Sequence, residues 1–324
     1  MVTKHNWIQA VNERAKAGSP FFLFTDFEME TPLLFDPSDL LNEGIWVQFP
    51  SYRNTTPSSP LMEVSIVCVE KPDLGIYRSS FNRVMAGLHY GNSYLCNLTV
   101  ATPVQVKGSL SDVFHAANAK YKIRFQDEWV CFSPEMFIRI QENTVATYPM
   151  KGTLDADLPG AEAQLLNDAK ERAEHFTIVD LLRNDLSRIA RNVQVKRFRY
   201  LETLKTSSKN LLQCSSEITG ELEADWRNRL GDILAELLPA GSISGAPKKS
   251  TCALIREAEQ KKRGYYTGVA FYFDGANLDS TVMIRFLEKT EQGFSYRSGG
   301  GITVNSQCEL EFQECLDKIY VPRI

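Results

Sequence analysis

The sequence predicts an α+β protein: strand-like runs outnumber helix-like ones, the two follow in mixed order, and no regular βα alternation calls for a doubly wound parallel sheet. No internal repeat and no linker rich in Gly, Ser or Pro divides the 324 residues. Between residues 20 and 70, short apolar runs ("FFLFTDFEM", "GIWVQF", "MEVSIVCVE") alternate with breakers such as "PSYRNTTPSSP". That pattern predicts antiparallel strands around an exposed loop. "YRSSFNRVMAGLHYG" has helical spacing and ends on Gly91, a residue suited to a left-handed helix terminus. "SYLCNLTVATPVQV" predicts a strand, "SLSDVFHAANAKY" a helix, and "EWVCFSPEMFIRIQENTVATYPMKGT" a meander turning at "SPE" and "QEN". A long helix follows from about Ala161 to Ile189, broken near "RND". "NVQVKRFRYLETL" and "LLQCSSEITGEL" read as strands, "DWRNRLGDILAELLP" and "PKKSTCALIREAEQKKRG" as helices. "TGVAFYFDG", "LDSTVMIRFLEKT" and "GFSYRSGGGITV" read as a final meander, and "CELEFQECLDKI" as the last helix.

With 43% hydrophobic and 23% charged residues the chain can bury a large core, as one domain or two closely packed halves, and is neither disordered nor fibrous. A formal net charge of -4, with Lys and Arg scattered rather than striped, gives no footprint for a phosphate backbone. Nucleic acid is therefore not an expected partner. The opening stretch carries Lys4, Glu13, Arg14 and Lys16 without an unbroken apolar core, and no later run is long enough to span a bilayer. Neither signal peptide nor membrane association is expected. The seven cysteines (68, 96, 131, 214, 252, 308, 315) are odd in number, spread out and never spaced C-x-x-C. This argues against a disulfide framework or zinc site and fits a reducing cytoplasm.

The turn "YPMKGT" (148–153) sets Lys151 between a methionine and a glycine at the end of an alternating stretch. On residues alone it is either a surface lysine or an amine presented for chemistry. Glu171 and Glu174, and again Glu311 and Glu314, lie three residues apart and share a helix face. Two carboxylates so placed repel, and a hard cation such as Mg²⁺, with its taste for oxygen ligands, would give the repulsion a purpose. The spacing leaves open the other reading, a solvated helix face neutralised by nearby lysines and arginines. "SGGGITV" (298–304) has three glycines that permit successive N–H groups to turn toward an anion, or else form a hinge or bulge. "PAGSISGAPKK" (239–249) is a small-residue loop leading into a helix, with Pro247 suited to its first turn. Neither matches a P-loop or a G-x-G-x-x-G fingerprint, so nucleotide is not indicated. Arg285 interrupts an apolar strand pattern, where a guanidinium needs an anion, whether a ligand or an internal carboxylate.

Taken together, "GNSYLCNLT", "YPMKGT", "KERAEHFTIVDLLRNDLSRIA", "AGSISGAPKKS", "TVMIRF" and "SGGGITVNSQCELEFQECLDK" resemble, in order and separation, the chorismate-utilising enzymes. The resemblance runs from about residue 79 to 322. It implies a two-layered α+β sandwich of two similar halves around a central cleft. It implies that Glu171, Glu174, Glu311 and Glu314 hold a Mg²⁺ gripping the ring carboxylate of chorismate. Arg285, Tyr266 and the backbone at Gly300 and Gly301 would receive the enolpyruvyl carboxylate, while Gly152, Thr153, Ser242 and Ser244 would line the ring pocket. Residues 1–78 would form a shortened amino-terminal part of the sandwich, and 79–324 the chorismate-binding catalytic region, not an independent domain.

Lys151 separates the subfamilies. Anthranilate synthases carry alanine before the Gly-Thr, whereas aminodeoxychorismate synthase component I carries lysine, as here. The resemblance to the latter implies that the lysine amine adds to chorismate covalently and must be uncharged to do so; burial favours that form and nearby carboxylates oppose it. Glu135, in "CFSPEMFI", occupies the family's general acid/base position. Where many relatives have a histidine this chain has Gln213, which can hydrogen-bond substrate but cannot transfer a proton. No nucleophilic-cysteine glutaminase signature is present, so a separate glutamine amidotransferase subunit is the expected ammonia source. The expected product is 4-amino-4-deoxychorismate, toward 4-aminobenzoate and folate. The alternatives are anthranilate synthase component I and, from another class, a non-catalytic chorismate-binding or glutaminase-regulating subunit.

Overall fold

Helix α1 (Trp7–Lys16) leads into five short strands: β1 (Phe21–Thr25), β2 (Leu33–Phe35), β3 (Ile45–Phe49), β4 (Tyr52–Arg53) and β5 (Ser65–Cys68). After α2 (Leu74–Tyr90), β6 (Leu95–Lys107) and α3 (Leu110–Ala116) come β7 (Tyr121–Phe125), β8 (Trp129–Ser133), β9 (Met136–Gln141), β10 (Thr144–Thr147) and β11 (Met150–Asp155). Helices α4 (Ala161–Asn167) and α5 (Ala169–Ser187) precede a long antiparallel pair, β12 (Arg191–Lys205) and β13 (Asn210–Glu221). Next are α6 (Leu230–Leu237), α7 (Gly241–Ser244), β14 (Gly245–Ala246) and α8 (Lys248–Glu259). Strands β15 (Val269–Phe273), β16 (Leu278–Val282), β17 (Phe286–Thr290) and β18 (Gly293–Ile302) and helix α9 (Cys308–Asp317) complete the order. This computed structural model describes residues 6–56, 63–68, 70–205 and 210–322, so residues 57–60 of the expected loop lie outside the described residues.

The strands form two antiparallel sheets. One runs β11-β13-β10-β9-β16-β15-β1-β2, with β12 added on β13; the other runs β14-β6-β18-β17-β8-β7-β3-β4, with β5 added on β6. Strand β1 explains how they stack. All five of its residues are buried, because alternate side chains face two different cores. Phe22 and Phe24 meet Val47, Phe49, Tyr121 and Phe286 of the other sheet. Phe21 and Leu23 instead join the layer built by α1, α2, α5, α6 and α8, with Val11, Val84, Ile178, Leu234 and Ile255. Each such fully buried phenylalanine contributes about 1.5–3 kcal/mol. Helix α3 covers the outer face of the second sheet, packing Phe114 with Phe132 and Tyr296.

Three expectations are corrected. The long helix breaks at Asp168 rather than near "RND", because the Asp168 carboxylate accepts from the Glu171 amide at 2.8 Å and caps a new helix, while the 183–185 segment stays helical. The two expected meanders are each split: β8 and β9 lie in different sheets, as do β16 and β17. Alternation fixes which face a residue takes but not which sheet its strand joins. Helix α1 was not expected, although Trp7, Val11 and Ala15 recur every four residues and are its buried positions. Among the described residues no helix is long and apolar enough to cross a membrane.

Candidate active site

The two sheet-switching connections touch. The Val282 amide donates to the Glu135 carbonyl at 3.3 Å, and the Phe132 amide to the Arg285 carbonyl at 3.2 Å. Glu135 and Arg285, the latter with φ +53, are thus set side by side where the sheets part, at a cleft holding a cavity of about 300 Å³. Lys151 enters the same cleft from β11. The pairing of β11 with β13 shifts register between Met150 and Thr153, and Gly152 takes φ +78 there. A Cβ at Gly152 would stand 2.9 Å from Leu165 Cδ1 and 3.1 Å from Glu171 Oε2, so this irregular turn requires glycine. Lys151 Nζ lies 3.4 Å from Glu174 Oε2.

Glu135 is braced on several sides. Ser242 Oγ donates to Glu135 Oε1 at 2.6 Å, and Thr281 Oγ1 donates to the Glu135 carbonyl at 2.7 Å. Burial pushes its carboxyl above the usual glutamate range, against the opposing pull of the Ser242 bond and the charges of Lys151 and Arg285. The Ser242 segment is itself anchored. Lys248 Nζ donates to the Leu237 carbonyl at 2.6 Å and pairs with Asp185 at 3.2 Å, and a Cβ on Gly241 would meet that aspartate at 2.7 Å. Ser244 belongs to this support and not to the wall: it is fully buried and donates to the Ala240 carbonyl at 2.8 Å. At Gly245, φ is +125 and an added Cβ would strike the Leu95 carbonyl.

The glycines of "SGGGITV" do not form a nest for an anion. Gly299, Gly300 and Gly301 lie in β18, paired with Thr99, Leu98 and Asn97 of β6. Gly300 faces α9, where a Cβ would stand 3.4 Å from Glu311 Oε2 and 3.9 Å from both Glu314 Oε1 and Lys318 Nζ, while a Cβ at Gly299 or Gly301 would meet Leu98 and Thr99 or Leu95. Lys318 Nζ donates to the Gly299 carbonyl at 2.7 Å and pairs with Glu314 at 2.8 Å. Of the expected residues, Glu135, Lys151, Gly152, Gln213, Ser242, Tyr266, Arg285, Gly300, Gly301 and Glu314 line the cavity. Glu171 stands behind Gly152, Glu174 beside Lys151, and Glu311, only 6% exposed, behind Gly300. The Thr153 backbone pairs with Gln213, and its side chain lies outside the described part. Burial pushes the Tyr266 phenol above the usual tyrosine range.

A model for the family described as chorismate binding enzyme matches residues 36–323. The chain belongs to that family. Among relatives of this chorismate-utilising enzyme, an "Uncharacterized PabA-like protein" of Haemophilus influenzae is 47% identical over 320 residues, covering 99% of this chain and 97% of the relative. Aminodeoxychorismate synthase component 1 of Escherichia coli is 31% identical over 259 residues, covering 75% of this chain and 56% of its own length. Anthranilate synthase component I of Streptococcus pneumoniae has a similar structure, with TM-score 0.66 at 25% identity over 81% of this chain and 60% of that one. The menaquinone-specific isochorismate synthase of Escherichia coli shares the fold, with TM-score 0.72 at 17% identity over 97% of this chain and 79% of that one.

In this chorismate-utilising enzyme the wall holds more than the motifs announce. Lys318, Arg297, Asn97 and Ser298 also line the cavity. Arg297 stacks over the Tyr266 ring at 5.2 Å and pairs with Glu288 at 3.1 Å. Among the described residues, Asn97 Oδ1 and Ser298 Oγ are buried without a hydrogen-bond partner, the state of groups that a polar ligand satisfies. Lys318 was legible as the residue four beyond Glu314 on the same helix face. Asn97 and Ser298 carried no comparable signal. Lys151, Arg285, Arg297 and Lys318 bring four cations to the wall, three of them beside Glu174, Glu288 and Glu314, donors suited to an anionic ligand.

Proposed function

We propose that this chain is the synthase component that combines chorismate with ammonia to give 4-amino-4-deoxychorismate, through a covalent adduct on Lys151. The observation that carries the reading is the placement of Lys151 in a cleft whose wall also presents Glu135, a carboxyl inclined by burial to keep its proton. The Lys151 amine attacks the ring carbon next to the carboxylated one. The two ring double bonds shift, and the bond to the ring hydroxyl breaks as Glu135 delivers a proton, so water departs. Ammonia then attacks the carbon that bore the hydroxyl, the double bonds shift back, the bond to Lys151 breaks, and the Glu135 carboxylate takes a proton from the incoming nitrogen. The Lys151 amine is regenerated. The relationship to aminodeoxychorismate synthase component 1 supports this reading.

The all-carboxylate donor set of Glu171, Glu174, Glu311 and Glu314 fits Mg²⁺, and the bare backbone of Gly152 and Gly300 lets a carboxylate approach each wall of the cleft. Among the described residues no three acidic, histidine or cysteine side chains stand together as a metal cage. Bound there, Mg²⁺ would supply a fixed positive charge for the substrate carboxylate. A separate glutamine amidotransferase subunit would supply the ammonia, and the product would feed 4-aminobenzoate and folate. The test is incubation with chorismate, Mg²⁺ and an ammonium salt, followed by mass spectrometry of the protein and its product. A chorismate-derived adduct on Lys151 with 4-amino-4-deoxychorismate as product is expected; anthranilate formed without any lyase would overturn the reading. Absence of turnover, with chorismate bound unchanged, would assign a binding role instead.

A further inference from the structure

Strand β12 bulges against β13 between Arg197 and Tyr200, and within that bulge Arg199 holds φ +48, a strained backbone for a residue with a side chain. The strain is met by three bonds. Arg199 Nη1 donates to the Leu166 carbonyl at 2.7 Å and Nη2 to the Leu165 carbonyl at 2.9 Å, capping the end of α4 with a cation. The Arg199 amide donates to Ser216 Oγ at 2.9 Å. Ser216 is a junction: its Oγ bonds His175 Nε2 at 2.7 Å, and its amide donates to the Pro149 carbonyl at 3.0 Å. Both Ser216 and His175 are fully buried.

These bonds converge on the reacting groups from three directions. Leu165 is the residue whose side chain abuts Gly152, and Asp168, two residues past Leu166, ends α4 and caps α5 at the amide of Glu171. His175 follows Glu174 directly, and Pro149 lies two residues before Lys151. We propose that Arg199 is a positioning residue: with Ser216 it clamps the α4–α5 elbow and the β11 turn to β12 and β13, fixing Glu171 and Glu174 relative to Lys151. The cationic end of Arg199 does not line the cleft; it acts through the α4 carbonyls, while the Arg199 amide holds Ser216. The inference rests on the proposed roles of Lys151 and the glutamates.

The test compares Arg199→Ala, Arg199→Lys and Ser216→Ala with the parent by hydrogen exchange and by calorimetric binding of chorismate with Mg²⁺. In Arg199→Ala, exchange over residues 161–175 is expected to quicken while β15 exchanges as in the parent. Binding is expected to weaken roughly 10–100-fold, as for residues that orient ligands from behind. Arg199→Lys, which keeps a cation at the α4 carbonyls, or added guanidinium on Arg199→Ala, should restore part of both. Ser216→Ala should quicken exchange around His175 and spare α4. Parent-like exchange and binding in Arg199→Ala and Ser216→Ala would overturn the proposal, as would uniformly faster exchange across all strands. Should Arg199→Ala fail to fold, Arg199→Lys and Ser216→Ala decide by the same segmental pattern. A parent that binds no chorismate would sink the proposed function, and the exchange comparison would still judge the clamp.

Discussion

On one side of the cleft, α9 and its C-cap carry Glu311, Glu314 and Lys318 within eight consecutive residues, and the Glu314–Lys318 pair closes at 2.8 Å across one helical turn. On the other side, α5 carries Glu171 and Glu174 at the same spacing, but the cation beside Glu174 is Lys151, from another element, at 3.4 Å. The first wall is set by helix geometry, which places residues i and i+4 together whatever the rest of the chain does. The second depends on a β-bulge, a left-handed glycine and a buried polar junction all agreeing. Local spacing suffices where a charge has only to attract an anion. Where the cation comes from another element, as Lys151 does, its position is held by contacts distant in sequence.

The comparison breaks first at the lysines. Lys151→Met should lower ammonia-dependent turnover by on the order of 10⁶-fold, the scale seen when a covalent nucleophile is lost, with chorismate binding largely kept. Steady-state kinetics beside calorimetry measures both. Glu135→Gln should cost about 10²–10⁴-fold in kcat. Because burial raises the Glu135 carboxyl, its proton is held from the ordinary glutamate range up to the raised value and lost as pH climbs through it. Donor activity in the parent should therefore fall on that alkaline limb, and native stability should decline over the same window. A pH–rate profile of Glu135→Gln should lack the limb.

Lys318→Met should act differently from Lys151→Met, raising KM for chorismate roughly tenfold through loss of a charge-assisted contact and changing kcat little. A fall in kcat matching that of Lys151→Met would erase the distinction between the walls. The glycines sharpen the contrast at the smallest scale. Gly152→Ala meets a left-handed φ and a contact at 2.9 Å, and should cost about 1–2 kcal/mol or more in denaturant unfolding. Gly300→Ala, in extended strand with only a carboxylate at 3.4 Å, should fall within about 0.5 kcal/mol.

Much of the site was legible because spacing survives folding. That Glu311 and Glu314 share a helix face, the helix stop at Gly91 and the start of the last helix follow from periodicity and residue type, while the glutamates' place in the candidate site came from the family resemblance. Ser244 misled, because a small hydroxyl in a loop reads the same whether it faces a ligand or, as here, a carbonyl four residues back. The glycine run misled for a related reason: glycine permits many backbones, and pairing with β6 selected an extended one. The sheet in which each strand pairs was illegible, since inside and outside alternate identically in both.

The sequence by itself determined the secondary structure that depends on near neighbours, the paired carboxylates and the single lysine in its proline-and-glycine turn. Only the tertiary structure decided that Glu135 and Arg285 meet at two sheet crossings, and that Arg199 braces the elbow behind Lys151. Helix caps, turns and helix periodicity act over a few residues and leave marks in order and spacing. Contacts between residues far apart in the chain depend on how layers close over a common core, which no short window of sequence contains.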